Sequence, residues 1–198
     1  MGTDIFMHAE RRVNGQWHLV MDDAPTDGRL NAPVDLYERR NYNLFAILAD
    51  VTNVSAGTPE PQGTHYEPIA PRQGVPNDMS EELRVLWAAE GARDRASWYL
   101  LRELLEFDWY GKTVRKHAWV GPELAAAYER GYATSPYLWQ WLQDIPGSDE
   151  SWMRGNVPVT WVETYADSAG SDFMQGVLGR LQGYGDPDDV RIIFSFWS

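Results

Sequence analysis

The start of the chain alternates polar and apolar positions in a way that predicts a β-hairpin. Residues 4–13 and 16–21 form its two strands, and Asn14-Gly15 forms a two-residue turn, because both residues tolerate positive φ. With this turn, Val13 faces Gln16 across the hairpin. Both faces carry apolar side chains, so we expect other elements to cover the hairpin on both sides.

The rest of the chain shows periodic segments separated by Gly and Pro. Apolar spacing and capping residues predict helices over residues 41–51, 80–90, 97–107, 123–130, 135–143 and 171–182. Runs of β-branched and aromatic residues predict strands over residues 114–120, 157–165 and 190–197. The stretch 52–79 is rich in Gly and Pro and is predicted to be a long loop.

This mixture of strands and helices predicts the α+β class. We expect one domain over residues 1–198, with a central mixed sheet that includes the hairpin and the last strand and is packed by several helices. Residues 190–197 are apolar on both faces, as a central strand would be. The helix before them makes a parallel pairing with residues 157–165 possible.

Composition narrows the classes of function. The chain has no cysteine, which excludes disulfides, thiolate nucleophiles and cysteine-based metal sites. Its formal net charge of -12 repels phosphate groups, so we expect no direct binding of nucleic acid. No apolar segment is long enough for a membrane span and the start is unlike a signal peptide, so we expect a cytoplasmic protein without membrane contact. The acidity also suits a basic partner, although plain solubility is its ordinary explanation.

The first predicted strand brings three polar side chains to one face. Asp4, His8 and Glu10 have the same parity, and alternate residues lie about 7 Å apart along a strand. Carboxylates with an imidazole suit a divalent metal or an acid–base pair. The alternative, which we favour, is a partly exposed sheet face with a hydrogen-bonded histidine.

A third carboxylate, Glu163, lies near the end of the strand predicted over residues 157–165. Sites often form at strand ends, and Arg191 on a neighbouring strand would complete a ligand-binding pair with Glu163. A structural Glu–Arg pair is the alternative that we favour. The sequence shows no His-Glu-x-x-His, Walker A or Gly-x-Ser-x-Gly motif, so the usual hydrolase patterns are missing.

The chain is rich in aromatic residues, with ten Trp and ten Tyr. A large aromatic core accounts for most of them. Trp139 and Trp141, however, lie about 200° apart on the predicted helix over residues 135–143, so they cannot both face one core. One of them is therefore a candidate surface anchor.

Five segments of the chain form a recognisable set in this order. They are Met1 to Ile5, Arg40 to Ala49, Ser97-Trp98 with Leu101 to Leu105, Trp161 to Tyr165, and Val190 to Phe194. Together they resemble an uncharacterised family carried by bacteriophages and bacteria, whose members typically begin Met-Gly-Cys-Asp-Ile-His. The chain departs from that pattern, because Thr3 replaces the usual Cys, Phe6 replaces the usual His, and residues 92–98 lack the family's histidine. The resemblance implies a phage origin and supplies no activity.

Two functions fit these patterns. The first, which we favour, is a non-catalytic, phage-encoded binding protein that acts against host defence in the host cytoplasm, by binding a host protein or sequestering a nucleotide-like signal. The second is a metal-dependent hydrolase or phosphodiesterase built on Asp4, His8, Glu10 and Glu163. The candidate contact residues for the binding function are Arg40, Asn41, Trp98, Trp139, Trp141 and Arg191. We predict no cofactor and no resident metal, and a homo-oligomer stays open.

Overall fold

The computed structural model describes residues 3–21, 33–51, 65–90, 94–120, 122–129 and 157–197. The strands are β1 (Asp4–Val13), β2 (Gln16–Leu19), β3 (Asp94–Leu100), β4 (Thr113–Val120), β5 (Val157–Thr164) and β6 (Val190–Trp197). The helices are α1 (Tyr42–Ala49), α2 (Glu81–Glu90), α3 (Leu101–Glu106), α4 (Pro122–Glu129), α5 (Tyr165–Ala169) and α6 (Leu178–Gln182), with a π-helical segment at Asp172–Val177. This architecture confirms the α+β class.

The hairpin forms as predicted and begins the main sheet. β1 pairs with β2 in antiparallel fashion, and Val13 lies opposite Gln16. Asn14 and Gly15 have φ angles of 51° and 82°, which are the left-handed values that a tight two-residue turn needs. The sheet has the order β2-β1-β6-β3, and all its pairings are antiparallel.

The central strand β6 separates two layers of apolar packing. Ile192, Phe194 and Phe196 are fully buried on one face, where Phe196 contacts Phe45 of α1 with ring centroids 5.2 Å apart. Ile193 is fully buried on the other face, in a cluster that includes Leu83 of α2. Helices on both sides of β6 explain why both of its faces carry apolar residues.

β4 and β5 form a separate antiparallel ribbon, with Lys116 opposite Trp161. The parallel pairing of residues 157–165 with residues 190–197 is therefore wrong. Both edges of β6 are already occupied by antiparallel neighbours, β1 and β3. The helical segments between β5 and β6 connect two sheets, and they do not form a crossover within one.

The predicted helix over residues 97–107 is also wrong in its first four residues. Ser97 to Leu100 belong to β3 and pair with β6. Ser97 and Tyr99 are fully buried, whereas Trp98 points to the opposite face and is only partly buried. The edge of β6 supplies backbone partners that local helix propensity could not anticipate. Helix α3 begins at Leu101, after the Leu100 N–H donates to the Glu103 carboxylate at 2.8 Å.

The remaining predicted elements within the described residues are confirmed, with small changes at their ends. Asn41 Oδ1 accepts the Leu44 N–H at 3.1 Å and caps α1, and Ser80 Oγ accepts the Leu83 N–H at 3.3 Å before α2. The predicted helix over residues 171–182 contains the π-helical segment, after which the Leu178 N–H donates to the Phe173 carbonyl. No helix or strand occurs in residues 65–79, whereas residues 52–64 and 135–143 lie outside the described part.

Candidate functional site

Asp4, the first candidate carboxylate, is held at the surface by an arginine fork. Arg40 Nε and Nη2 donate to its two carboxylate oxygens at 2.5 and 2.9 Å. This hydrogen bonding is the main reason why the pKa of Asp4 lies below its ordinary value. The candidate contact residue Arg40 is exposed, but its guanidinium already binds the Asp4 carboxylate.

Glu10 lies on the same face of β1 and is completely buried. One of its carboxylate oxygens accepts Arg191 Nε at 2.8 Å and lies 2.7 Å from Arg191 Nη2, and the other accepts the Ser80 N–H at 2.8 Å. Arg191 Nη1 also donates to the Asp78 carboxylate at 2.7 Å. These contacts fasten the segment before α2 to the centre of the main sheet.

Two tryptophans complete the surroundings of Arg191. The guanidinium carbon lies 4.0 Å from the ring centroid of Trp17 and 5.6 Å from that of Trp98. Trp17 Nε1 also donates to the Asp78 carboxylate at 3.0 Å. Burial alone would raise the pKa of Asp78, but the hydrogen bond and charge of Arg191 lower it. Arg191 and Trp98, both predicted ligand contacts, thus belong to one internal cluster.

The residues Asp4, His8 and Glu10 do not converge on one point. Asp4 and Glu10 are six positions apart on β1, about 20 Å along an extended strand. His8 lies between them, is buried, and faces Ile193 across the sheet. Among the described residues, no group of three or more His, Asp or Glu side chains is arranged to hold a metal ion.

Glu163 binds a lysine that the sequence analysis did not single out. Its Oε1 atom lies 2.6 Å from Lys116 Nζ and accepts the Ser168 hydroxyl at 2.6 Å. Trp161 Nε1 donates to Oε2 at 3.0 Å, and the Tyr66 hydroxyl donates to Ser168 at 3.0 Å. Glu163 and Lys116 are 8 % and 1 % exposed, so this polar cluster is sealed from water.

The predicted Glu163–Arg191 pair is therefore wrong. β5, which carries Glu163, pairs with β4, and Arg191 lies in the other sheet bound to Glu10 and Asp78. A buried charged residue on a strand pairs with the opposite charge that lies closest to it. The order of the strands in the sheets determines which residue that is. The sequence contains one sign of the observed pair. Lys116, one of two lysines in the chain, lies between Val114 and Ala118 on a strand face that would be apolar if it were simply buried.

The Lys116–Glu163 pair keeps both charges in a buried environment. Burial would raise the pKa of Glu163, but the charge and hydrogen bond of Lys116 lower it. Burial lowers the pKa of Lys116, and the charge of Glu163 opposes that change. The pair joins the β4–β5 ribbon to α5, through Ser168, and to the segment around Tyr66.

Asn41, another predicted contact residue, serves the backbone. Besides capping α1, its Nδ2 donates to the carbonyl oxygens of Ser168 and Ala169, each at 2.9 Å. It therefore fastens the start of α1 to the end of α5. Trp139 and Trp141 lie outside the described residues, so their prediction as surface anchors stays a prediction.

Within the part of the chain that the structure describes, every helix is too short or too polar to span a bilayer. Comparison of the chain with protein-family models, with curated proteins and with solved structures finds no match in any of the three. The resemblance to a phage-borne family accordingly stays a prediction.

Proposed function

We propose that this chain is a non-catalytic binding protein of phage origin that occupies a host protein. One observation carries the proposal: each of the three candidate catalytic carboxylates, Asp4, Glu10 and Glu163, is already bound to an Arg or Lys within 2.8 Å. A metal hydrolase needs carboxylates that converge and can bind an ion. Here they lie at separate places and fasten elements of the fold.

A protein partner is favoured over a nucleotide-like ligand by the state of Arg191. All three of its guanidinium nitrogens contact Glu10 or Asp78, and the residue is 1 % exposed. A phosphate would have to displace two carboxylates from a buried site to reach it, which is costly. The arginine and tryptophan that would hold a nucleotide therefore support the internal packing of the chain.

Charge favours a partner with a basic surface. A net charge of -12 on 198 residues gives long-range attraction to a positively charged protein and repulsion from nucleic acid. The resemblance implies that such a partner would belong to a bacterial host, and a host-defence protein is the class that we propose.

Native mass spectrometry of the chain purified from its bacterial host at low ionic strength tests this function. We expect a complex with one protein species at fixed stoichiometry. A bare monomer, or a complex with a nucleotide and no protein, would contradict the proposal.

Turnover assays separate binding from hydrolysis. Purified chain with Mg²⁺ or Mn²⁺ should release no product from phosphodiester substrates. Metal-dependent turnover that Asp4→Asn abolishes would establish the hydrolase instead. Because the Asp4–Arg40 pair is exposed, Asp4→Asn should leave the fold intact, and circular dichroism provides that control.

A further inference from the structure

The turn after α3 presents an exposed aromatic side chain. Tyr110 is 74 % exposed, and Leu105 at the end of α3 is 39 % exposed. Scattered apolar side chains are normal on protein surfaces, so exposure alone has no functional meaning. The backbone that supports Tyr110 and the charges that surround it distinguish this place from the rest of the described surface.

The turn is held rigid by its own hydrogen bonds. Asp108 Oδ1 accepts the Gly111 N–H at 2.8 Å, and the Asp108 carbonyl accepts the Lys112 N–H at 3.1 Å. Trp109, which is 3 % exposed, anchors the turn from below by donating its indole N–H to the Leu104 carbonyl at 2.7 Å. Tyr110 therefore projects from a fixed backbone. Binding at Tyr110 would cost little conformational entropy of this turn, because its backbone is already ordered.

A larger residue at position 111 would displace the Asp108 side chain. A Cβ atom added to Gly111 would lie 2.2 Å from Asp108 Oδ2, well inside the contact distance. The glycine allows the Asp108 carboxylate to fold over the turn. The Asp108 carboxylate therefore lies in the same turn as Tyr110.

Neighbouring segments extend the acidic surroundings. The Ala166 N–H donates to the Trp109 carbonyl at 2.8 Å, so the start of α5, with the exposed Asp167, runs beside the turn. Glu67 reaches Lys112 Nζ at 2.7 Å from the other side. We call the following set the Tyr110 surface: Glu67, Leu105, Glu106, Asp108, Tyr110 and Asp167.

The Tyr110 surface has an excess of negative charge. Its four carboxylates, on Glu67, Glu106, Asp108 and Asp167, are all on exposed residues. Among the described residues, Lys112 is the basic side chain in contact with this set, and it binds Glu67. An aromatic anchor inside an acidic rim is complementary to an apolar pocket with Lys or Arg around it.

The other large exposed aromatic among the described residues lacks this charge. Trp197 is 67 % exposed at the end of β6 and lies opposite Asp4 on β1. Arg40 neutralises Asp4 there. Charge complementarity with a basic partner therefore favours the Tyr110 end of the molecule.

We propose that the Tyr110 surface is the docking surface for a protein partner with a basic face, into which Tyr110 inserts. This inference rests on the proposed binding function and specifies where the partner binds. Trp, Tyr and Arg are the residue types that most often dominate interface energies. Tyr110 supplies one of them, and a partner with a basic face can supply Arg.

Site-specific photo-crosslinking in the bacterial host identifies the partner at this surface. A benzophenone amino acid is placed at position 110, and at position 85 as the control, since Val85 is 60 % exposed on α2. We expect a protein with a basic surface to crosslink at position 110 and not at position 85. A second copy of the chain, or a nucleic acid, crosslinked at position 110 would overturn the inference.

The protein identified in this way is then purified and titrated with matched variants. Tyr110→Ala and Glu106→Lys should each weaken binding by more than about tenfold. Val85→Ser and Glu81→Lys, which make comparable changes on α2, should stay within about twofold of the original affinity. Because Tyr110 and Glu106 are exposed, unchanged thermal unfolding will confirm that the variants fold.

The possible failures are distinguishable. A partner that binds the original chain and all four variants equally would overturn the Tyr110 surface and leave the binding function standing. A chain that shows no protein partner by native mass spectrometry or by crosslinking at either position would overturn both.

Discussion

At the scale of single residues, the chain keeps its buried charges as closely spaced pairs. Lys116–Glu163 and Arg191–Glu10 are both almost fully buried, with nitrogen to oxygen distances of 2.6 and 2.7 Å. Such pairs contribute little net stability compared with apolar residues, but the loss of one partner leaves an uncompensated buried charge. Each pair joins two neighbouring strands, β4 with β5 and β1 with β6.

The two lysines provide a direct comparison of a buried pair with an exposed one. We expect Glu163→Gln to lower the free energy of unfolding by about 3–5 kcal/mol, because Lys116 then lacks its counter-charge in a buried site and must either stay charged there or lose its proton. Glu67→Gln removes the same contact from the exposed Lys112 and should cost less than about 1 kcal/mol. Urea denaturation measures both.

A double variant checks the physical cause. Lys116→Met with Glu163→Gln removes both charges, keeps one acceptor oxygen for the Trp161 N–H, and places an amide N–H where it can donate to the Ser168 hydroxyl. It should recover most of the stability lost in Glu163→Gln. If the double variant is as unstable as the single one, then the buried charge is not the reason for the loss.

The same residues predict the response to acid. The pKa values of Glu163 and Asp78 both lie below their ordinary values of 4.5 and 3.8 in the folded chain. A lowered carboxyl pKa stabilises the folded state above the unfolded pKa, and this stability is lost as pH falls through the folded pKa. We expect urea midpoints to be steady down to about pH 5 and to fall below about pH 4.5. The double variant should show a shallower fall, whereas an identical acid response would contradict the role of Glu163.

At the scale of elements, turn and capping residues correctly predict where the hairpin turns and where the first two helices begin. Asn14-Gly15 closes the hairpin, and Asn41 and Ser80 begin α1 and α2 as predicted. The same rules fail at Ser97 to Leu100, where the edge of β6 recruits the chain into β3. A residue's own preferences are weaker than a row of backbone hydrogen bonds to a buried neighbour.

Gly15 and Gly179 allow the cost of backbone strain to be measured without a change in packing, because both have open space where a Cβ atom would lie. Gly15 has a φ of +82° and no atom near its added Cβ, so Gly15→Ala should cost about 1 kcal/mol through strain alone. Gly179 in α6 has equally open space without a positive φ, so Gly179→Ala should stabilise the chain by about 0.5–1 kcal/mol. Thermal unfolding should therefore shift in opposite directions. Stabilisation by Gly15→Ala would refute the turn geometry at Gly15.

At the scale of the whole molecule, the proposed partner class rests on charge. The net charge of -12 makes the surface repel phosphate, while the Tyr110 surface concentrates carboxylates around an exposed aromatic side chain. We therefore propose a basic protein as the partner and expect no binding of nucleic acid.

This charge predicts no retention of double-stranded DNA or RNA in mobility-shift assays, even at about 50 mM salt, where electrostatic binding is strong. A basic nucleic-acid-binding protein run alongside provides the positive control. Saturable retention by this chain would show that a local surface overrides the net charge, and would contradict the choice of a protein partner.

The sequence by itself determined the features that depend on neighbours along the chain. Turn residues, caps and alternation identified the hairpin, α1, α2 and the buried strand β6, because their physical causes lie within a few residues. The acidity and the absence of cysteine are read directly from composition. The predicted mixture of helices and strands gave the α+β class, which the structure confirms.

The tertiary structure alone decided which distant residues meet. The sequence suggested that Glu163 and Arg191 would pair, but strand order placed Glu163 beside Lys116 and Arg191 beside Glu10. It also placed each candidate catalytic carboxylate in an ion pair, at the surface for Asp4 and in the interior for Glu10 and Glu163. The periodicity of the sequence indicates whether each face of a strand is buried. Which of several opposite charges a buried residue meets depends on how the sheets assemble, and no local sequence pattern determines that assembly.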